Sequence, residues 1–96
     1  GDVEIDISRR EVKRNGKAIL LQPREYALLE YLALRAGQLV SRTEIEQRLY
    51  DDRQELMSNV VDSAICTLRK KLRVDGRPDP IQTRRGMGYI LTDAEP

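Results

Sequence analysis

Apolar and polar residues alternate along Val3-Glu4-Ile5-Asp6-Ile7, and that period of two predicts a strand with one buried face. Two further short runs, Glu11–Arg14 and Lys17–Leu21, flank Asn15-Gly16. This dipeptide supplies both positive-φ positions of a type I′ turn, so the runs read as a two-residue hairpin. The front of the chain is therefore expected to be a small antiparallel sheet, a scaffold rather than a place for chemistry.

The pattern then changes to a helical period. Pro23 suits a first helical position, where its missing N–H would have no partner in any case, and Glu25 in the first turn suits the helix dipole. Tyr26, Leu29, Leu32, Ala33 and Ala36 share one face, and Gly37 is expected to terminate the helix. Leu39-Val40 has room only for a bridging strand. Ser41-Arg42-Thr43-Glu44 has the form of a capping box, Ser41 accepting the Glu44 N–H while Glu44 reaches back. It opens a short second helix with Ile45 and Leu49 facing inward. Asp51 to Met57 has no clean period and reads as a loop, after which Ser58 or Asn59 caps a third helix running to about Arg73. Val61, Ile65, Leu68 and Leu72, at helical spacing, make its buried stripe.

Two prolines and a glycine make Val74–Pro80 a loop. Ile81–Arg85 and Tyr89–Thr92 are strand-like and join through Gly86-Met87-Gly88 as a second hairpin, and Asp93–Pro96 reads as a frayed tail. No repeat or low-complexity tract interrupts the order of strands, three helices and hairpin. The expectation is an α+β fold in one domain over residues 1–96.

Composition narrows the chemistry. Ninety-six residues, 40% hydrophobic and 34% charged, suffice for a packed core and exclude wholesale disorder. With no Phe, no Trp and four Tyr, that core must be mostly aliphatic. There is no His, and Cys66 is the single cysteine, which excludes Cys/His zinc sites, His-based triads and an internal disulfide. No nucleophile–base pair or phosphate cradle stands out either, so neither an enzyme, a metal nor a cofactor is expected. One cysteine fits a reducing compartment, no apolar run exceeds the length of Ala18–Leu21, and Gly1-Asp2-Val3-Glu4 does not resemble a signal peptide. A cytoplasmic protein without a membrane partner is expected.

The net charge of +1 hides an uneven distribution. Ser63 to Leu91 carries seven bases (Arg69, Lys70, Lys71, Arg73, Arg77, Arg84, Arg85) against two acids, Asp75 and Asp79, whereas the remainder is net acidic. A basic back end suggests a surface that faces a polyanion. A solvated lysine- and arginine-rich face fits the composition equally well.

Two helices joined by a loop and followed by a basic hairpin are the plan of a winged helix-turn-helix. The stretch Leu21-Gln22-Pro23-Arg24-Glu25-Tyr26-Ala27-Leu28-Leu29 resembles the first-helix entry of OmpR/PhoB-type effector domains. Ser58-Asn59-Val60-Val61-Asp62, leading into Leu68-Arg69-Lys70-Lys71-Leu72, resembles their recognition helix, and Ile81 to Tyr89 (IQTRRGMGY) resembles their wing. The resemblance covers essentially the whole chain in the right order. It implies the output domain of a two-component response regulator, which binds promoter DNA sequence-specifically to regulate transcription, with the recognition helix in the major groove and the wing in the minor groove. It further implies a receiver domain outside this chain, a monomeric isolated domain, and tandem binding on DNA. The rival reading is a winged helix that engages protein instead of DNA, which salt dependence would distinguish.

With its apolar stripe buried, the third helix presents Asn59, Ser63, Cys66, Thr67 and Lys70 on the opposite face. Asn can pair bidentately with adenine in the major groove. Ala64, Cys66 and Thr67 stand where members of the resembling family often carry His or Arg, so this helix offers fewer long donors. Asn59, Ser63, Thr67, Arg69 and Lys70 are the DNA-binding candidates on the helix. The cations crowding its C-terminal turns also suit the dipole there, and Asp62 suits a dipole or capping role at the other end. Cys66 reads as a small groove-facing or half-buried residue rather than a redox sensor. On the wing, the candidates are Thr83, Arg84, Arg85 and Tyr89. The resemblance implies that Arg85 enters the minor groove, where A·T tracts attract guanidinium, and that Thr83 and Tyr89 touch phosphate. It also implies an RNA polymerase contact from the loop of Asp51, Asp52, Arg53, Gln54 and Glu55. Asp51-Asp52, lacking a companion ligand, reads as a solvated acidic pair rather than a metal site.

Overall fold

The computed structural model describes residues 3–49, 60–92, 94 and 95. The alternating segment forms β1 (Val3–Asp6), which pairs antiparallel with β2 (Glu11–Arg14), and β2 pairs antiparallel with β3 (Lys17–Ile19). Between β2 and β3, Asn15 and Gly16 take φ values of 53° and 82°, the two left-handed positions of the expected turn. Val3, Ile5 and Val12 face the core, and so does Arg14, whose position in the same alternation places it inward.

Helix α1 (Pro23–Ala33) begins where Pro23 predicts, and the Glu25 carboxylate accepts the Gln22 N–H at 2.8 Å. Its end is a correction. The helix stops at Ala33, Ala36 is exposed, and Gly37 lies beyond a pair of tight turns at φ 81°. The Gly37 N–H donates to the Leu91 carbonyl at 2.8 Å, so a bond to the wing takes the chain out of the helix before its apolar period runs out. Leu28 is also fully buried, because α1 is the central helix and is covered by α2, α3 and β5. Val40 forms the expected bridge, paired with Tyr89.

Helix α2 (Arg42–Leu49) is capped by Ser41, whose Oγ accepts the Glu44 N–H at 3.0 Å. The Glu44 carboxylate does not complete a capping box. It accepts from the Tyr31 hydroxyl and pairs with Arg35, tying α2 to α1. Ile45 is buried and Leu49 half-buried. The loop expected at 51–57 and the caps expected at Ser58 or Asn59 lie outside the described residues.

Helix α3 (Val60–Leu72) buries Val61, Ile65, Leu68 and Leu72, the stripe its spacing predicts. The wing consists of β4 (Ile81–Arg84) and β5 (Gly88–Leu91), paired Ile81 to Leu91 through Arg84 to Gly88; β4 is one residue shorter than expected and β5 begins and ends one residue earlier. The frayed tail is a second correction. Ala94–Glu95 forms β6, which pairs parallel with β1 and gives the first sheet the order β3-β2-β1-β6. Two residues are too few for a period to show, whereas the free edge of β1 offers them backbone partners. The core is aliphatic except for Tyr26 and Tyr89.

Candidate nucleic-acid interface

The stripe that buries α3 leaves Ser63, Cys66, Thr67 and Lys70 exposed on its outer face, as the helical period requires. Lys70 makes no side-chain hydrogen bond or ion pair among the described residues, so its ammonium is available to a ligand. Asn59 and the loop residues Asp51, Asp52, Arg53, Gln54 and Glu55 lie outside the described residues.

Arg69 is placed differently from Lys70. Its guanidinium donates to the Ile81 carbonyl (2.9 and 3.2 Å) and to Thr83 Oγ1 (2.6 Å), and it pairs with Asp79 at 3.2 Å. The residue is half-buried and straps α3 to β4. The same bond engages the Thr83 hydroxyl as an acceptor, leaving its proton free to donate. Lys71 turns to the other flank of the helix and meets Glu25 at 2.7 Å. Burial pushes the Glu25 carboxyl up, but the bonds from Lys71 and the Gln22 N–H outweigh it and hold it below its ordinary value.

Tyr89 is buried at 7% exposure, and its hydroxyl donates to Asp62 in the first turn of α3. Asp62 also accepts from Arg42 of α2 at 3.0 Å. The two bonds hold the Asp62 carboxyl below its usual range, while burial and the bond to Asp62 push the Tyr89 phenol up to about 12. Tyr89 is thus engaged inside the fold rather than displayed at the surface. Asp62 does not merely face the helix dipole; it joins α2, α3 and the wing. Sequence reasoning did not anticipate Arg42 in this role, and one cationic side chain in the first turn of α2 carries no signal of a partner twenty residues on.

At the other end of the wing, Arg84 and Arg85 are exposed and without a protein partner among the described residues. Gly86 turns the hairpin at φ 74°. Gly88 does different work: a Cβ there would lie 2.2 Å from the Val40 carbonyl oxygen, so only glycine lets β5 lie this close to the bridge strand. A groove of about 480 Å³ separates the wing from Ser41, Arg42, Thr43 and Asp62. Cations without carboxylate partners therefore stand on the wing tip and on the outer face of α3, with the helix locked to the wing between them.

The family described as "Transcriptional regulatory protein, C terminal" matches residues 16–91. The chain belongs to that family. It is 41% identical over 94% of its length to the transcriptional activator protein IrlR of Burkholderia pseudomallei and covers 39% of that protein. The chain spans about two-fifths of the length of the curated relatives it matches. Among solved structures, the response regulator DrrB of Thermotoga maritima, an OmpR/PhoB homologue, superposes with a TM-score of 0.85 at 34% identity, covering 97% of this chain and 42% of DrrB. The RstA DNA-binding domain of Klebsiella pneumoniae, in complex with the RstA box, gives 0.82 at 33% identity, covering 96% of this chain and 92% of that one. The fold is the winged helix of OmpR/PhoB-type regulators, and these relatives are transcriptional regulators rather than enzymes. Among the described residues, no helix is long and apolar enough to cross a membrane.

Proposed function

We propose that this chain binds duplex promoter DNA as the output domain of a response regulator. The observation that carries the reading is the RstA DNA-binding domain, which shares this fold at 33% identity and is solved with its DNA box. The exposed, partnerless cations of α3 and the wing support it. In this reading α3 enters the major groove with Ser63, Thr67 and Lys70 toward the bases and phosphates, and Asn59 at its leading end pairs with a base. Arg84 and Arg85 follow the neighbouring minor groove, and Thr83 donates to phosphate. Arg69 and Tyr89 act from behind, setting the angle between helix and wing.

The receiver domain that precedes such domains in full-length relatives belongs to the same proposal, as do tandem binding on DNA by an otherwise monomeric domain and a polymerase contact from residues 51–55. The test is selection from a random duplex pool, followed by affinity measurements at several salt concentrations. A single enriched motif and a steep log–log salt slope are expected. No enrichment together with a flat slope would overturn the reading in favour of a protein partner.

A further inference from the structure

The end of α3 remote from the wing tip carries a second basic cleft. Arg14 and Lys17 face each other across the β2–β3 hairpin and so share its inner face. Arg14 is buried at 1% exposure and donates to the Leu72 carbonyl at 2.7 Å and the Pro78 carbonyl at 2.5 Å. Those bonds seat the hairpin against the last turn of α3. The resulting cleft, about 460 Å³, is lined by Asn15, Lys17, Lys70, Arg73, Val74 and Asp75.

Of the three cations in the last turn of α3 and Arg73 just beyond it, Arg69 and Lys71 are committed to Asp79 and Glu25. Lys70 and Arg73 are not, and among the described residues neither they nor Lys17 have a side-chain partner. A helix dipole accounts for cations at a C-terminus, but it does not account for Lys17, which comes from the sheet. Three like charges, from β3, from α3 and from the residue just after it, converge here against the single carboxylate of Asp75. The negative end of the dipole would repel an anion, yet the buried Arg14 guanidinium takes up the Leu72 carbonyl and offsets that field.

From Asp62, beside the wing, to Arg73 is about 16 Å along the helix at 1.5 Å per residue. The major groove is about 12 Å wide. A helix lying across the groove is thus long enough to bring its two ends to opposite phosphate walls.

We infer that Lys17, Lys70 and Arg73 form a second clamp on the DNA backbone, paired with the wing across α3. The inference rests on the DNA-binding reading above and adds the N-terminal hairpin to the interface. The test uses this 96-residue chain, a duplex selected from a random pool, and a scrambled duplex of the same composition. Lys17→Ala with Arg73→Ala should weaken binding to both duplexes several-fold and lower the log–log salt slope by about 2, with unchanged thermal unfolding because both side chains are exposed. Lys13→Ala removes the same charge from the adjacent, outward-facing position of β2 and should change the slope little. If the double variant behaves like Lys13→Ala while the parent chain binds normally, the clamp is overturned and the DNA reading stands. If it loses affinity only for the selected duplex at an unchanged slope, these residues read bases and the backbone assignment is wrong. If the parent chain itself shows no salt-dependent binding, the DNA reading fails first.

Discussion

The Tyr89 hydroxyl donates to the Asp62 carboxylate, so the second strand of the wing is bonded directly to the first turn of the helix that faces outward beside it. Arg42 reaches the same carboxylate from α2, and one half-exposed aspartate thereby sets three elements against one another. This junction, with the Arg69 strap, fixes the angle between α3 and the wing.

Alkaline pH should dismantle the junction in a defined window. The Tyr89 phenol is raised from 10.0 to about 12 in the folded protein, so its contribution is intact below pH 10 and is lost as pH rises toward 12. Urea midpoints followed through this range should fall. Tyr89→Phe should lower the midpoint at neutral pH and flatten the alkaline decline, and an unchanged decline would assign it to other groups.

At the acid end, Asp62 and Glu25 have folded pKa values below their ordinary ones. Their contributions are present above the unfolded carboxyl range and lost as pH falls through the folded values. The share from Asp62 is discounted by solvent because its side chain is half exposed, whereas the Glu25 carboxylate is more enclosed against Lys71. Glu25→Gln should therefore reduce the dependence of stability on pH below about 4, measured by the same urea titrations.

Gly88→Ala should be among the most damaging single-methyl additions in the chain. The new Cβ would lie 2.2 Å from the Val40 oxygen and 2.8 Å from the Ser41 Cα, both rigid backbone atoms. The loss is expected to exceed about 2 kcal/mol in a thermal or urea unfolding experiment, with the Val40–Tyr89 bridge the first bond to break. Gly86→Ala, which meets no atom within 4 Å, should cost less, its penalty being the backbone angle alone.

Arg69 and Lys70 are neighbours with separable roles. Arg69→Ala should lower both stability and DNA affinity, because it frees the wing from α3 at Ile81 and Thr83. Lys70→Ala should lower affinity with little effect on unfolding. Equal stability of the two variants would show that the strap does not hold the wing.

Arg14→Met keeps most of the buried volume but leaves the Leu72 and Pro78 carbonyls without this donor. A loss of about 2–3 kcal/mol is expected, read as a shift of the urea midpoint at constant slope.

The strands of the front sheet, the type I′ turn at Asn15-Gly16, the buried stripe of α3 and the winged-helix order are all legible in the sequence. Each depends on side-chain periods or on local backbone preferences that a few consecutive residues express. Arg14 shares the alternation of Val12, but its charge argues against burial, and sequence reasoning did not place it in the core. The exposed candidates Ser63, Thr67, Lys70, Arg84 and Arg85 follow from the same periods, by subtraction of the buried stripe and by proximity to the turn.

Tertiary structure alone decided the rest, because it turns on partners distant in the chain. Gly37 donates to Leu91 and so ends α1 early, and Ala94–Glu95 becomes a strand because β1 offers it an edge. Arg69 and Tyr89, which sequence reasoning places at the DNA surface, are committed to Ile81, Thr83 and Asp62 once α3 and the wing are packed together. A side chain's residue type announces which bonds it can make, but which group takes them depends on what the fold brings within about 3 Å.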